Sequence, residues 1–420
     1  MKQKILKSIE KYLQGLARRK IAKAKPKIVA ITGSYGKTSA KEAIFSVLND
    51  KFGSDVGKNW GNMNSTLGLP LAILGLKKYS FGFGLLYDII RATWNAWFYR
   101  LPRILVLEFG IDKPGEMDTL TSFVTPDIAV ITGISETHLE ELGDVEGVRR
   151  QKNLLFNALP PDGVAILNAG DKNSEELAVN KGVNKITFGS TDADVYADNI
   201  NVAVDGTIFD LKYFGKKEPV KSKLIGAHVI NNLLIAAAVA GEFKINIGDI
   251  KASLEKIKPE NGRMNPIKIG ELTVIDDSYN SNPKSAEESL VTLSTIKTGG
   301  RKIAVLGNMN ELGNYEKEGH LRIGKAAAKA VDLLIAVGDN AEVISSGAKL
   351  AGLSEEKILA FKSTDDLIQK IDELIKKGDL VLVKGSQNRV RLEKLIKYLL
   401  KNDELAEKIL VRQEKKWQGK

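Results

Sequence analysis

The feature that most constrains this chain is the stretch Gly33-Ser34-Tyr35-Gly36-Lys37-Thr38-Ser39. The apolar run Lys27–Thr32 before it predicts a buried parallel strand, and the helical spacing of apolar residues over 40–48 predicts a helix after it. A strand, a glycine loop and a helix N-terminus together form a cradle of backbone N–H groups that binds anions. A chain with this unit near its start is expected to build an α/β domain around it.

The residues of this loop suit the phosphates of a nucleotide. In such a loop Lys37 reaches the terminal phosphates and the Thr38 hydroxyl ligates Mg²⁺. Only two residues separate the glycines, instead of the four of the common P-loop, so the alternative is a structural turn that happens to contain Gly-Lys-Thr. Because the strand and the helix are correctly placed, we expect ATP binding. The phosphate-loop residues are then Gly33, Ser34, Gly36, Lys37, Thr38 and Ser39.

The composition excludes several kinds of site. The chain has 420 residues and no cysteine, so two or three domains are expected, without a disulfide, a thiolate metal site or a cysteine nucleophile. It has no apolar run long enough to span a bilayer and no signal-peptide core at its N-terminus. These features predict a cytoplasmic protein. The net charge of +10 would suit a phosphorylated substrate, an anionic lipid surface or nucleic acid.

Much of this charge lies in residues 1–26. The basic side chains there, against Glu10 alone, are Lys2, Lys4, Lys7, Lys11, Arg18, Arg19, Lys20, Lys23 and Lys25. The apolar residues at helical spacing are Ile5, Leu6, Ile9, Tyr12, Leu13 and Leu16. The pattern predicts a basic amphipathic helix that ends near Pro26. Three interpretations stay open: a helix packed on the ATP-binding body, a helix on a membrane surface, and a nucleic-acid contact.

Residues 79–102 form an unusually aromatic segment. Its large apolar residues are Phe81, Phe83, Leu85, Leu86, Tyr87, Ile89, Ile90, Trp94, Trp97, Phe98 and Tyr99. Asp88, Arg91 and Arg100 interrupt the segment, which argues against a spanning helix. We expect a helical insertion that either packs against the body or stays exposed as a surface for a partner or a lipid.

Two polar residues follow predicted strands of the first domain. Glu108 ends the apolar run 104–107, and His138 lies in the loop after the apolar run 127–132. Ligands of open α/β sheets bind beyond the carboxyl ends of the strands, so both residues are expected to face the phosphate loop. Each is a weak signal alone, since such residues are often a cap or a satisfied polar group. A helix over 146–159 contains Lys152, whose plain interpretation is an exposed helical lysine.

The rest of the chain predicts a second unit. An amide-rich loop over 59–70 contains Asn62 and Asn64, residues 185–220 look β-rich, and an alanine-rich helix covers 226–241. Beyond Gly262, strands at 273–275, 302–306, 332–337 and 380–383 alternate with helices. The predicted fold class is α/β: a central P-loop domain with a mainly parallel sheet, then a smaller doubly wound, Rossmann-like domain. The predicted boundaries are 1–26, 27–262 and 263–420.

Taken together, the loops resemble those of the Mur ligases. The motifs that carry the resemblance are Thr32-Gly33-Ser34-Tyr35-Gly36-Lys37-Thr38, Glu108-Phe109-Gly110 with Pro114-Gly115-Glu116, Thr137-His138-Leu139-Glu140, Gly262-Arg263, Asp276-Asp277-Ser278-Tyr279-Asn280-Ser281-Asn282-Pro283, the stretch 307–313, and Lys384-Gly385-Ser386. One such motif would mean little. This many in order, from about residue 27 almost to the C-terminus, is specific.

The resemblance implies an ATP-dependent amide ligase. In this family a substrate carboxylate attacks the γ-phosphate of ATP, and an incoming amine then displaces phosphate from the acyl phosphate. The motifs are most similar to those of the members that add D-alanyl-D-alanine to UDP-N-acetylmuramoyl-tripeptide in peptidoglycan synthesis. By resemblance, Thr38 and Glu108 hold one Mg²⁺ and His138 helps to hold a second. Lys152 matches the family's carbamylated lysine.

Further roles also come from the resemblance. His228 and Asn232 match the motif beside the nucleotide base, and Arg263 matches an arginine that reaches the phosphates of ATP. Asp277, with Asp276 beside it, matches an acid near the ribose. The residues expected near the other substrates are Asn62, Asn64, Asn280, Asn282, Lys384 and Ser386.

Departures from the family pattern leave alternatives. The family's muramoyl ligases carry a folded N-terminal domain that grips the UDP-sugar, and only the basic helix precedes the phosphate loop in this sequence. The basic helix and the segment 79–102 are therefore expected to grip the acceptor or to dock on the inner membrane surface. We expect a monomer that binds small-molecule substrates and no nucleic acid. The alternatives are a folylpolyglutamate- or cyanophycin-type amide ligase, and a non-catalytic nucleotide-binding scaffold.

Overall fold

The computed structural model describes residues 2–80, 82–386, 390–414 and 417. Phe81 and the side chains of Lys2 and Phe83 lie outside the described part. The described chain contains an N-terminal helix, α1 (Lys2–Ala24), followed by two β-sheets. Helices lie along both sheets, and the fold is α/β with mainly parallel strands, as the sequence predicts.

The first sheet has nine strands in the order β2-β3-β1-β4-β5-β6-β7-β8-β9. They are β1 (Lys27–Thr32), β2 (Val56–Lys58), β3 (Ile104–Glu108), β4 (Ile128–Ile131), β5 (Val164–Asn168), β6 (Asn184–Phe188), β7 (Val195–Ala203), β8 (Gly206–Tyr213) and β9 (Lys216–Ser222). Neighbouring strands pair in parallel up to β7, and the last two pairings are antiparallel. The β-rich segment predicted over 185–220 is therefore the antiparallel edge of this sheet.

Nine helices accompany this sheet in the described chain after α1. They are α2 (Lys37–Phe52), α3 (Gly68–Ile73), α4 (Phe83–Phe98), α5 (Glu116–Thr121), α6 (Leu139–Leu142), α7 (Val145–Asn157), α8 (Lys172–Glu175), α9 (Ala227–Glu242) and α10 (Ile247–Leu254). The predicted phosphate-loop helix is α2, the predicted helix around Lys152 is α7, and the alanine-rich helix is α9.

Strand β1 shows why the sheet is covered on both faces. Val29 and Ile31 belong to the core cluster that contains side chains of α2 and α9, whereas Ile28 and Ala30 belong to the cluster with side chains of α5 and α7. Successive side chains of a strand point to opposite faces, so a strand buried on both faces is apolar throughout. The apolar run in the sequence therefore predicted this strand correctly.

The second sheet has six strands in the order β10-β11-β15-β12-β13-β14. They are β10 (Asn265–Ile269), β11 (Leu272–Asp277), β12 (Lys302–Gly307), β13 (Leu333–Val337), β14 (Ile358–Phe361) and β15 (Leu380–Lys384). Its helices are α11 (Pro283–Thr295), α12 (Glu316–Ala328), α13 (Ala341–Leu350), α14 (Thr364–Ile368), α15 (Ile371–Leu374), α16 (Glu393–Leu400) and α17 (Asp403–Ile409). Four of the strands match the predicted ones. The edge strands β10 and β14 were not predicted: β10 mixes polar and apolar residues, and β14 is an apolar run of only four residues, too short for periodicity to assign.

The domain boundary predicted at 262/263 falls between α10 and β10, where the chain passes from one sheet to the other. Parallel strands end at a common edge in each sheet. Glu108 lies opposite Ile31 of β1, and Lys384 lies opposite Asp277 of β11. The polar residues that follow the strands are thereby collected at two sheet edges.

Helices α1 and α4 pack against each other and against α3, at the side of the first sheet. Leu13 and Leu16 of α1 and Ala92 of α4 are buried in this contact, whereas Trp94 and Trp97 of α4 are exposed. One face of this helix therefore packs against the body, as the first interpretation of the aromatic segment has it, and the opposite face is exposed. None of the described helices combines the length and the apolar character that crossing a bilayer requires.

Candidate active site

The phosphate loop joins β1 to α2 and requires glycine at two positions. Gly33 has φ 150°, and a Cβ there would lie 2.0 Å from Oγ1 of Thr132. Gly36 caps α2 with φ 74°, in the left-handed region, and a Cβ there would lie 3.0 Å from Oδ1 of Asn232. The backbone can approach these neighbours closely only without side chains. The loop is therefore a tight cradle at the start of α2.

Lys37 folds back over this loop. Its Nζ donates a 2.7 Å hydrogen bond to the carbonyl oxygen of Gly33. Burial lowers the pKa of Lys37, and the carboxylates of Glu108 and Asp112 partly offset that effect. Lys37 has three ammonium donors and uses one of them on its own loop, so the others are available to an anion in the cradle.

Glu108, at the end of β3, is held beside the loop by three side chains. Thr38 Oγ1 donates to its Oε1 over 3.2 Å, and Asn64 Nδ2 donates to the same oxygen over 2.9 Å. Nζ of Lys41 lies 3.3 Å from its Oε2. The pairing of β1 with β3 positions this carboxylate, because it places Glu108 opposite Ile31, just before the loop.

The amide-rich loop, residues 59–67, is attached to β3 by Asn59. Its amide nitrogen donates to the carbonyl oxygens of Met63 and Glu108, and its amide oxygen accepts from Glu108 N over 2.8 Å. Asn59 is completely buried. Sequence reasoning identified the loop but missed Asn59 and Lys41, since nothing in a single sequence separates a buried amide or lysine from the exposed ones beside it.

His138 and Lys152 lie apart from the cavity that borders the phosphate loop. His138 has φ 56°, and its ring nitrogens lie 3.5 Å from Oδ1 of Asp112 and 3.0 Å from Oε2 of Glu311. Glu311 belongs to the second domain, so this contact bridges the two sheets. Among the described residues, no cluster of three or more histidine and carboxylate side chains is arranged to hold a metal ion.

Lys152 on α7 is buried rather than exposed. Burial lowers its pKa well below the usual range, and the positive charge of Lys37 adds to this effect while Asp112 opposes it. No hydrogen bond or ion pair to Nζ of Lys152 comes from the described chain. A buried lysine without a counter-ion favours its neutral amine form.

The second domain contributes a fixed carboxylate and lysine. Asp277 Oδ2 accepts from Nζ of Lys384 over 2.6 Å and from Oγ of Ser289 over 2.7 Å. Lys384 also donates to the carbonyl oxygen of Asn280 over 3.2 Å. The parallel register of β11 and β15 places Asp277 and Lys384 opposite each other, so this pair is a direct consequence of the sheet.

Arg263, Tyr279 and Asn62 connect the two domains across the site. The guanidinium carbon of Arg263 lies 4.3 Å from the ring centroid of Tyr279, within the range of a cation–π contact. Tyr279 Oη donates a 3.1 Å hydrogen bond to Oδ1 of Asn62 in the amide-rich loop. The two domains are therefore in contact at Asn62, which was predicted to lie near a substrate, and Arg263 of the second domain packs on the tyrosine that makes this contact.

His228 begins α9 and faces the second domain. Its Nδ1 lies 3.3 Å from Oγ1 of Thr292 on α11. Burial lowers its pKa to about 4, more than the negative charge of Asp277 raises it. The ring is therefore neutral near pH 7, which suits a contact with an uncharged group such as a nucleobase.

Three predicted residues have structural partners, and two of them, Asp276 and Ser386, do not line the cavity. Asp276 is fully buried, and its Oδ1 accepts from N and Oγ of Ser278. Ser386 is buried and donates to the carbonyl oxygen of Ser281 over 3.4 Å. Asn282 borders the cavity, but its amide oxygen caps α11 by accepting from Ser285 N over 2.8 Å.

The structure thus brings most of the predicted residues to one cavity of about 270 Å³ between the two domains. Those that line it are Ser34, Gly36, Lys37, Thr38, Ser39, Asn62, Asn64, Glu108, His228, Asn232, Arg263, Asp277, Asn280, Asn282 and Lys384. Gly33, His138, Lys152, Asp276 and Ser386 are not among its lining residues.

Sequence profiles of one family match both domains. The Mur ligase middle domain matches residues 31–240, and the Mur ligase glutamate ligase domain matches residues 262–387. A UDP-N-acetylmuramoyl-tripeptide–D-alanyl-D-alanine ligase from Bacillus subtilis is 30% identical over 394 residues, which cover 93% of this chain and 79% of that relative.

Solved structures agree with this relationship. MurF from Acinetobacter baumannii superimposes with a TM-score of 0.81 at 28% identity, covering 94% of this chain and 81% of that chain. MurF from Thermotoga maritima, in complex with ADP, gives a TM-score of 0.78 at 26% identity, covering 95% and 84%. The chain therefore belongs to the Mur ligase family of ATP-dependent ligases, as its sequence motifs predicted.

Proposed function

We propose that this chain joins D-alanyl-D-alanine to UDP-N-acetylmuramoyl-tripeptide with hydrolysis of ATP, the ligation named for its relative in Bacillus subtilis. The observation that carries the proposal is the cavity between the domains. There, a phosphate loop from one domain faces Arg263, Asp277 and Lys384 from the other. A scaffold that only bound a nucleotide would not need cationic and acidic groups from a second domain around the phosphates.

The chemistry follows from the groups present. An oxygen of the tripeptide carboxylate attacks the γ-phosphorus of ATP, ADP leaves, and an acyl phosphate forms. The amine of D-alanyl-D-alanine then attacks the acyl carbon and loses a proton, and phosphate leaves. Charge builds up first on the phosphoryl oxygens and then on the carbonyl oxygen. Catalysis is therefore mainly positioning and electrostatic stabilisation, by Lys37 on one side and Arg263 on the other.

The residues around Thr38 fit Mg²⁺. A carboxylate and a hydroxyl are hard oxygen donors, and Mg²⁺ usually takes one or two protein oxygens and completes its shell with phosphates and water. Oε2 of Glu108 has no hydrogen bond from the described chain, so it can still accept a ligand. We propose that Thr38 and Glu108 hold this ion, which when bound neutralises charge on the transferred phosphoryl group.

We propose that Lys152 is carbamylated. Burial lowers its pKa and no ion pair stabilises its charged form, which favours the neutral amine that attacks CO₂ to form a carbamate with loss of one proton. The product is a carbamate anion in place of the buried amine of Lys152. Asp112 is a shared neighbour of Lys152 and His138, so a carbamate here would lie near His138, and the two would hold a second Mg²⁺.

The other predicted residues take roles that fit their positions. We propose that His228 and Asn232 contact the nucleotide base, with Asp277 near the ribose. Asn62, Asn64, Asn280 and Lys384 would contact the two substrates to be joined. The contacts of Asp276, Asn282 and Ser386 favour a positioning role. The domain boundaries 1–26, 27–262 and 263–420 stay a prediction.

The ligase proposal is tested by phosphate release from Mg·ATP with UDP-N-acetylmuramoyl-tripeptide, with and without D-alanyl-D-alanine. We expect release only when both are present, together with a product of the summed mass less one water. Release that depends on a different amino acid or carboxylate would keep the ligase chemistry and overturn the proposed substrates.

The carbamate is tested independently of turnover. Protein equilibrated with ¹³C-bicarbonate should show a carbamate carbonyl signal that is absent from Lys152→Arg. Lys172→Arg, a change at a lysine outside the site, should keep the signal. A wild-type protein without the signal would contradict the carbamate while leaving the ligase proposal intact.

We also propose that the protein works as a monomer and touches the inner membrane surface through residues 1–26 and 79–102. The support is that α1 and α4, the helices of these segments, each present large apolar side chains to solvent.

A further inference from the structure

Helices α1 and α4 both expose large apolar side chains to solvent. On α4 they are between 61 and 72% exposed, and they are Leu86, Tyr87, Ile90, Trp94, Trp97 and Phe98. Their spacing of three and four residues places them on one helix face. On α1 the exposed apolar side chains are Ile5, Leu6 and Tyr12. We call these residues the aromatic face. An exposed apolar group of this size marks an interaction site.

Hydrogen bonds and a shared apolar cluster join the two helices. Tyr12 Oη and Thr93 Oγ1 are 3.1 Å apart, in a hydrogen bond between α1 and α4. Nζ of Lys20 donates to the carbonyl oxygens of Asn95 and Ala96, at the C-terminal end of α4, over 3.2 and 3.1 Å. A cation at this end of a helix is favoured by the helix dipole. The aromatic face is therefore held in one piece and not carried by a loose terminal helix.

The exposed charges on α1 and α4 and on the residues beside them in the chain are all of one sign. The exposed ionic side chains of the described residues 4–25 and 77–100 are basic: Lys4, Lys7, Lys11, Arg18, Arg19, Lys23, Lys25, Lys77, Lys78, Arg91 and Arg100. The two acids of these ranges are turned inward. Asp88 is buried and accepts from Ser80 N, and Glu10 is half-buried and accepts from Thr66 Oγ1. A partner for this surface must therefore be apolar and negatively charged.

This charge pattern discriminates between the two simplest partners. In a two-fold dimer the same face meets itself, so Lys4, Lys7, Lys11 and Arg91 would face a second copy of the same cations with no exposed acid between them. An anionic bilayer offers the opposite charge at its headgroups and an apolar layer beneath. Tryptophan and tyrosine side chains prefer that boundary, and basic amphipathic helices bind along it.

We infer that α1 and α4 form a docking surface for an anionic lipid bilayer. In the docked protein only helix α1 separates the lipid headgroups from the amide-rich loop of the ligase site. The inference deepens the proposed membrane contact and rests on it. Residues Glu10 and Gln14 of α1 bind Thr66 of this loop, and Asn64 of the loop binds Glu108. Helix α1 thus contacts both the bilayer and the loop on the substrate side of the site.

Binding is measured with the full chain, without ATP or substrates, by sedimentation with vesicles of phosphatidylcholine alone or mixed with phosphatidylglycerol. We expect binding to the mixed vesicles, with a blue shift of the tryptophan emission as Trp94 and Trp97 leave water. High salt should weaken the binding, since each basic residue near an anionic surface contributes about 1 kcal/mol.

Two sets of substitutions separate the charges from the apolar contacts. Lys4→Gln with Lys7→Gln and Lys11→Gln should lower the partition coefficient on the order of a hundredfold. Trp94→Ser with Trp97→Ser and Phe98→Ser should lower it at least about tenfold and remove the blue shift. The matched controls are Lys181→Gln with Lys185→Gln and Lys216→Gln, three exposed lysines elsewhere, and Leu350→Ser, an exposed leucine on α13. Neither control should change binding.

Each other result has a distinct meaning. Equal binding to neutral and mixed vesicles, unchanged by the lysine substitutions, would overturn the anionic surface while leaving a membrane contact. No binding to either vesicle would overturn both. A concentration-dependent dimer that the aromatic substitutions abolish, without vesicle binding, would assign the face to a second copy of the chain. Circular dichroism of the same preparations shows that they are folded, and their phosphate release decides the ligase proposal separately.

Discussion

Nζ of Lys41 lies 3.3 Å from Oε2 of Glu108, and both side chains are buried. Neither atom has a hydrogen bond from another described residue, whereas Oε1 of Glu108 accepts from Thr38 and Asn64. Lys41 is thus the cation that neutralises the carboxylate proposed to bind Mg²⁺. It lies one helical turn after Lys37 on α2, so one helix supplies both a phosphate-loop lysine and the counter-charge of Glu108.

Replacing Lys41 by methionine tests this relationship. Lys41→Met leaves Glu108 buried without a counter-ion, so the free energy of unfolding should fall by about 3–5 kcal/mol, measured by urea titration. Adding Glu108→Gln should recover much of this loss, because the uncompensated charge is then removed. If the double variant were as unstable as the sum of the two single variants, the two side chains would not be coupled.

Removing Lys37, the lysine of the phosphate loop, should slow turnover. Lys37→Ala deletes a cation aimed at charge that develops in the transition state, so kcat should fall about a hundred- to thousandfold. Lys51→Ala is the matched control, because Lys51 lies on the same helix and forms an exposed ion pair with Asp249. Lys51→Ala should release phosphate at the rate of the wild type. Equal rates for both variants would show that Lys37 does not act on the phosphates.

The contact between Tyr279 and Asn62 should stabilise the closed arrangement of the domains. Tyr279→Phe removes one hydrogen bond, with a net value of about 0.5–1.5 kcal/mol, so KM should rise about two- to tenfold. Tyr279→Ala also removes the ring beneath Arg263 and should raise KM further. Small-angle X-ray scattering should show a larger radius of gyration for both variants.

Tyr398→Phe is the control for this pair. It removes a hydrogen bond to Asp372 within the second domain, so neither KM nor the radius of gyration should change. A rise in KM without any change in the radius of gyration for Tyr279→Phe would place the effect on substrate contact and not on closure.

Asp276 should make stability depend on pH. Burial raises its pKa to about 6, the main cause, and the neighbouring charge of Asp277 adds to the increase. The folded state therefore binds this proton more tightly than the unfolded state, so the contribution is present at low pH and is lost as the pH rises through about 6. Asp276→Asn should be more stable relative to wild type at pH 8 than at pH 4, by about 2 kcal/mol.

Urea titrations of the wild type and of Asp276→Asn, each at pH 4 and at pH 8, measure this difference in the free energy of unfolding. If the stability of Asp276→Asn relative to wild type increased as the pH fell, the raised pKa assigned to Asp276 would be wrong.

Much of the site could be predicted from local patterns. The order of strand, glycine loop and helix identified the residues from Gly33 to Ser39, because parallel strands buried on both faces are apolar throughout. Glu108 and Asp277 could be located for a similar reason, since each is the last residue of a buried strand and ligands gather at that sheet edge. The edge strands escaped prediction for two reasons: the partly buried β10 mixes polar and apolar residues, and β14 is too short for its four apolar residues to indicate a strand.

The contacts that make these residues a site come from long-range packing. Asn62 and Tyr279 are 217 positions apart, and only the docking of the two domains brings them into contact. The sequence alone determined the α/β fold, the phosphate loop and the family, because these depend on local periodicity and on motifs in order. Tertiary structure alone decided that Lys41 and Lys152 are buried, that Asn59 attaches the amide-rich loop, and that the aromatic face stays exposed. The burial of a residue depends on which distant elements pack over it, and the neighbouring residues in the sequence do not show which elements these are.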